Sequence, residues 1–251
     1  MQWIFDNLGL ILTLSADHLR QSVIAVLVGL VLSVPLGWVA WRYRLLRGWV
    51  ITITGLLYTI PSLALLILLP TLVGYRVTSE LNLIVALTIY VVAILVRSVA
   101  DGLDSVDESV RQSATAMGFG STRRFWRVDL PLAGPVILAG LRVATVSTIS
   151  LATVGILVGV TNLGYLFTNG LQRRIIAEVL AGIIAVVVIA LILDALLVLL
   201  SRIVLPWTRK TTPGVATAKG SPDARGARGD AAGVSGPDQV ATAASPAGVQ
   251  R

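Results

Sequence analysis

The chain has 251 residues, 55% hydrophobic and 13% charged, with a mean hydropathy of +0.85. Soluble domains average about 45–50% apolar and about 25% charged residues, so a water-soluble globule is excluded, as are fibrous, disulfide-framed and largely disordered chains. Cysteine is absent, which removes disulfides, thiolate metal sites, iron–sulfur clusters and cysteine nucleophiles. The formal charge of +7 first suggests nucleic acid. Lys210 and Lys219 are the only lysines, so 18 of the 20 cations are arginine. Most of these sit just outside long apolar runs, where membrane proteins place them. The composition is that of an all-α integral membrane protein, with lipid rather than nucleic acid as its surroundings.

A hydrocarbon layer of about 30 Å takes about 20 helical residues to cross. Five runs qualify, near residues 19–41, 49–73, 81–96, 132–160 and 175–205. Ahead of them, Trp3, Phe5, Leu8, Ile11 and Leu12 lie beside Asp6 and Asn7 in a stretch too short to span, which reads as an interfacial helix. No basic region precedes it, so a cleaved signal peptide is not expected. The chain divides into an N-terminal interfacial segment (1–17), a membrane domain (18–206) and a tail (207–251). The tail, rich in Ala, Gly, Pro and Ser, buries too little apolar surface to offset its ordering entropy and is expected to be disordered.

Arginine placement sets the orientation. Arg42, Arg44 and Arg47 fill the first loop, Arg97, Arg111, Arg123, Arg124 and Arg127 the third, and Arg202, Arg209 and Lys210 follow the last span. The opposite side holds Arg20, Arg76, Arg173 and Arg174. This bias puts the N-terminus outside and the first and third loops and the C-terminus in the cytoplasm.

The third loop, residues 100–131, carries the most information. Asp104 or Ser105 offers an N-cap, with Asp107 and Glu108 in the first turn of a short helix. Val106, Val110, Ala114 and Met117 fall on one helical face. Gly118 and Gly120 stop that helix, and Ser121 or Thr122 caps a second over residues 123–128, which ends at Asp129-Leu130-Pro131. An amphipathic helix here is either a connector resting on headgroups or a knob for a groove on a soluble partner.

Gln112-Ser113-Ala114, Gly118 and Val128-Asp129-Leu130-Pro131 resemble the "EAA" loop of ABC-importer permeases, Glu-Ala-Ala, three residues, Gly, nine residues, Ile-x-Leu-Pro. The spacing is gapless. Ala114, Gly118, Leu130 and Pro131 match, while Gln112, Ser113 and Val128 depart from the pattern. The resemblance implies a type I ABC-importer permease fold and makes this loop the coupling helix that docks into a separate ATPase subunit. In that reading Ala114 and Gly118 form a small-residue notch, Arg111, Arg123 and Arg124 meet carboxylates at its rim, and Val110, Met117, Leu130 and Pro131 complete the surface. Residues 18–205 further resemble the osmoprotectant permeases, on His18-Leu19, Pro35-Leu36-Gly37, Thr59-Ile60-Pro61-Ser62-Leu63-Ala64-Leu65 and Ala139-Gly140-Leu141-Arg142-Val143-Ala144-Thr145-Val146. The cargo implied is glycine betaine, choline, carnitine or proline betaine. Methionine- and phosphonate-type permeases are the alternative within the family. The resemblance also implies a second permease copy or paralogue and an extracytoplasmic substrate-binding protein.

Within the spans, every charge needs a reason. Arg142 lies roughly 16 Å along its helix from Pro131, and Asp194 roughly 18 Å from Pro206 at the same face, counting 1.5 Å per residue. They are expected to pair, either as a register-fixing contact or at a gate. Pro61 should kink the second span and free a carbonyl, which makes Tyr58, Pro61 and Ser62 candidates for the translocation pathway. Gly140, Ala144, Thr148, Ala152, Gly155 and Gly159 form a small-residue stripe for close helix packing. Asn162-Leu163-Gly164-Tyr165 with Asn169-Gly170 reads as the largest external loop, or as a re-entrant turn.

No lysine follows a G-x-x-x-x-G frame, so ATP is expected to be used by the partner, with no cofactor or metal on this chain and no catalytic residue. The single His18 is expected at a membrane interface. A membrane-bound enzyme lacks a catalytic constellation. An ion-coupled secondary transporter would need an internal repeat or several polar residues in the spans, and no repeat is evident.

Overall fold

A computed structural model describes residues 2–74 and 76–206. Helix is the only regular secondary structure among these residues. Gln2–Asp6 (α1) is joined by Asn7, whose side-chain amide donates to Trp3 O at 2.8 Å, to the 35-residue helix Leu8–Arg42 (α2). At 1.5 Å per residue α2 is roughly 52 Å long, more than a bilayer core requires. The boundary expected between residues 17 and 18 falls inside it. The tail from 207 onward lies outside the described residues.

Arg44–Thr59 (α3) and Ser62–Val73 (α4) replace the expected kinked span with an elbow of 108°. Pro61 bars Ile60 from the helical region, and Ile60 takes φ −66°, ψ 127°. Contrary to the expected free carbonyl, the carbonyls at this break are satisfied. Leu57 O accepts Ile60 N–H at 3.4 Å, and Ile60 O accepts the Tyr90 hydroxyl. The folded-back α4 then buries Leu65, Leu66 and Leu69 against Leu83, Leu87 and Tyr90.

Glu80–Asp104 (α5), capped by Ser79, is the central helix and the most deeply buried span. Lipid supplies no hydrophobic force between helices, so contact depends on how closely backbones approach. On α2 the residues Ser22, Ala25, Gly29, Ser33, Gly37 and Ala40 are all buried along one seam. A Cβ on Gly29 would lie 2.3 Å from Val91 Cγ1, and one on Gly37 2.5 Å from Val99 Cβ. An adjoining face of α5 receives Leu130–Ala152 (α8), where a Cβ on Gly140 would stand 2.2 Å from Ser98 Oγ.

Between α5 and α8 lie Glu108–Ala116 (α6) and Ser121–Arg124 (α7). The cap of α6 is Asp107, whose carboxylate accepts Ser109 N–H at 2.8 Å; Asp104 and Ser105 instead end α5. That hydrogen bond holds the Asp107 carboxyl below its ordinary pKa. The second loop helix expected over 123–128 is continuous with the fourth span. A π-helical turn, Phe125–Asp129, links α7 to α8, and Leu130 N–H reaches Phe125 O five residues back. The wider turn accommodates Pro131, which has no N–H to give.

The fourth span ends earlier than residue 160. After Ala152 the chain tightens into a 3₁₀ segment, Thr153–Val158, and Gly159 reverses it at φ +86°. Gly155 and Gly159 are therefore not a GxxxG face of one helix. The expected external loop is largely a helix, Gly164–Gln172 (α9), with Leu166 and Gly170 buried. Ile176–Val204 (α10) is the last helix among the described residues, with its apolar sides mostly exposed.

The α2–α5 seam yields a prediction. Gly29→Ala should destabilise the purified protein by about 1–3 kcal/mol, the usual range for overpacking. Val91→Gly in the same chain should recover part of that loss. Thermal unfolding of the two variants in detergent checks both.

Candidate functional site

The loop between α5 and α8 is organised by one buried guanidinium. Arg111, 8% exposed, lies 4.8 Å from the Trp41 ring centroid. Its Nε donates to Asp129 Oδ1 at 3.2 Å and Nη1 to Glu108 Oε2 at 3.3 Å, while Nη2 donates to Leu103 O at the end of α5. Asp129, 1% exposed, also accepts Arg124 Nε at 3.4 Å, and Arg124 Nη1 donates to Thr115 Oγ1 at 3.0 Å. A planar fork meeting several acceptors is the geometry that Arg provides and Lys does not. The cluster ties α2, α5, α6 and the π-helical turn at the foot of α8 into one unit.

Two expectations are corrected here. Arg111 is not a rim residue awaiting a partner's carboxylate, because its donors are spent inside the chain. Ala114 is not half of an exposed notch, since it is 2% exposed and faces inward. The surface that remains open is Val110, Gln112, Ser113, Met117 and Gly118, with Met117 71% exposed. Gly118 holds φ +83°, and its N–H and that of Phe119 close the helix by bonding Thr115 O and Ala114 O. Only glycine takes that conformation cheaply. A Cβ there meets nothing within 4 Å, so the space beyond it is empty. Arg123 stacks on Phe119 at 5.0 Å, and Leu130 and Pro131 are half-buried at the start of α8.

The remaining site residues fall at two other places. Tyr58 meets Tyr90 edge to face at 6.0 Å beside the α3–α4 elbow, where Pro61 is exposed and Ser62 half-buried. Arg142 and Asp194 make a bidentate pair, Nε to Oδ1 and Nη2 to Oδ2, both 2.7 Å, joining α8 to α10.

A buried polar network was not foreseen. His18, expected at an interface, is fully buried, and its Nε2 lies 3.0 Å from Ile149 O, to which it donates. Asn162 donates to Ala152 O at 2.7 Å and to Gln21 Oε1 at 3.2 Å, and its own Oδ1 accepts Gly164 N–H at 2.8 Å. Gln21 donates to Thr161 O at 3.2 Å. These side chains serve backbone groups around the break at the end of α8, as a membrane interior requires. The available signal was His18-x-x-Gln21 on the face of α2 that also carries Ser22 and Ala25.

Residues 25–210 match the model of the family described as binding-protein-dependent transport system inner membrane component. The chain belongs to that family and is a multi-pass membrane permease. It is 34% identical to the glycine betaine/carnitine/choline transport system permease protein OpuCD of Bacillus subtilis, over 82% of this chain and 89% of that protein. It is 31% identical to the osmoprotectant import permease protein OsmW of Salmonella typhimurium, over 82% and 97% respectively. Among solved structures it resembles the inward-facing MetNI methionine ABC transporter at TM-score 0.66 and 22% identity, covering 80% of this chain and 98% of the other. An amino acid ABC transporter structure matches at TM-score 0.63 and 14% identity, covering 82% and 97%. The fold is that of ABC-importer permeases.

Two predictions follow from the charges. Arg111→Gln should cost about 3–5 kcal/mol by leaving a buried acid short of its partner, and Arg111→Lys should not restore it. Chemical denaturation of the three proteins reads this directly. Arg142→Leu and Asp194→Leu should each lower the yield of folded protein, while the double variant recovers most of it; additive losses would mean that the two residues act separately.

Proposed function

We propose that the chain is the translocation subunit of an ATP-driven importer for a compatible solute of the betaine, choline or carnitine class. The exposed face of α6 docks into an ATPase subunit in the cytoplasm of an inner-membrane complex. A second permease and an extracytoplasmic binding protein complete the assembly, and ATP is used by the partner. Support for the substrate class comes from the curated relatives, whose names specify glycine betaine, carnitine and choline.

The observation that carries the coupling role is the mechanical continuity of the loop. Val110, Ser113 and Met117 face outward from a helix whose inner side is fixed by Arg111 to Leu103 O and Asp129. A push on that face reaches α5 and α8 together, as a rigid-body movement. Gln112 stands where the related loops carry Glu, so docking here relies on the apolar and small residues around it. Tyr58, Pro61 and Ser62 are assigned to the pathway, where the Tyr58 ring offers a face suited to a quaternary ammonium.

The test is uptake by cells carrying the importer with this subunit as wild type or variant. Gly118→Arg should abolish uptake of labelled betaine, choline and carnitine and release the ATPase on purification, while membrane insertion stays intact. Gly118→Asn, which tolerates the left-handed conformation, should retain most of the activity. Wild-type uptake by Gly118→Arg would overturn the docking role. Uptake of methionine in place of all three quaternary amines would overturn the substrate class alone.

A further inference from the structure

A groove of about 650 Å³ lies away from the docking face and the elbow. It lies between the arginine-bearing end of α2 and the α7–α8 junction. We infer that this groove is a binding site for one anionic phospholipid, with an acyl chain along its apolar wall and the phosphate held by Arg42 beside the Ser121 and Thr122 hydroxyls.

The order of residues along the groove matches the order of groups in a lipid. Val31 and Val34 line the part that continues the apolar run of α2. Next come aromatic rings, Trp38 and Phe125 edge to face at 6.1 Å and Phe125 against Trp126 at 5.2 Å. Trp is the residue that settles at the boundary between hydrocarbon and headgroup. Last come Arg42, Arg124 and the hydroxyl-bearing Ser121 and Thr122. A volume of 650 Å³ lies within the range of small-molecule sites, about 300–1,000 Å³.

The charge balance selects an anion. Asp129 is the only carboxylate on the wall, and it is already paired with both Arg111 and Arg124. Among the described residues no carboxylate lies within ion-pair distance of Arg42, whose guanidinium sits 5.8 Å from the Tyr43 ring. Wall residues Val31 and Trp126 are 70% and 59% exposed, so the groove is open to its surroundings and accessible to lipid. A second protein copy would have to cover this unpaired cation with an acid of its own, and among the described residues Asp17, Glu80, Asp101, Asp104, Glu108, Asp129 and Asp194 already have cationic partners.

The test uses the full chain, alone, in nanodiscs of phosphatidylcholine and phosphatidylglycerol, with bromine on the acyl chains of one lipid or the other. Because both leaflets are identical and no ATPase is present, the result does not depend on the proposed orientation or docking role. Three of the six tryptophans, at 38, 41 and 126, line the groove and report bromine by fluorescence quenching. Brominated phosphatidylglycerol should be preferred by about fivefold, as one added cation near an anionic headgroup predicts. Arg42→Gln should bring the preference close to parity, and Arg173→Gln, distant in the chain, should leave it unchanged. If Arg42→Gln does not insert, wild type in about 0.5 M salt should lose the preference instead. Equal quenching by both labels, a preference unmoved by Arg42→Gln or salt, or displacement by inorganic phosphate in solution would overturn the site. So would protection from both labels, the result expected if a second copy covers the groove.

Discussion

Backbone proximity between α2 and α5 is the constraint on which the rest depends. With lipid on the outside, the helices gain little by hiding apolar side chains from one another, and what remains is dispersion at short range. The small residues of α2 bring it close enough to α5 that Val91 and Val99 fill the space a Cβ would take. α8 then packs on an adjoining face of α5, again across a glycine. The loop proposed to meet the ATPase joins those same two helices, α5 and α8, so its position is inherited from this packing.

Broken helices are affordable in such a bundle only where each freed carbonyl finds a donor. Two breaks occur, and each recruits its own side chains. At the α3–α4 elbow the Tyr90 hydroxyl serves Ile60 O. At the end of α8, His18, Gln21 and Asn162 serve the carbonyls of Ile149, Thr161 and Ala152. A third, milder departure, the π-helical turn before Pro131, points Asp129 inward to meet Arg111 and Arg124. Irregular backbone and buried polar residues therefore occur together, and the sequence positions of one explain the other.

Much of this was legible from local chemistry. Apolar run lengths located the spans, Gly118 ended α6 as its lack of a Cβ demands, and depth counting from two prolines paired Arg142 with Asp194. What escaped were relations between distant segments. That Arg111 turns inward depends on Trp41, 70 positions earlier in the chain, and on Asp129, 18 later; nothing in the helical period of α6 reveals it. The burial of Ala114 follows from the same rotation. Pro61 announced a disturbance, but a kink and a 108° elbow share one local signal, and only the docking of Leu65, Leu66 and Leu69 onto α5 separates them.

In the proposed docking role, the internal use of Arg111 changes how the loop would transmit force. Had the arginines formed the rim of a docking surface, the ATPase contact would be salt-sensitive and the loop itself loosely held. With Arg111 and Arg124 spent on Asp129, the loop is stiffened from within, and the face left for a partner is apolar and small, built on Val110, Ser113, Met117 and Gly118. A stiff lever with a mild surface suits a contact that must persist while its partner opens and closes. In the proposed cycle the energy of nucleotide binding then goes into moving α5 and α8, rather than into deforming the piece that connects them.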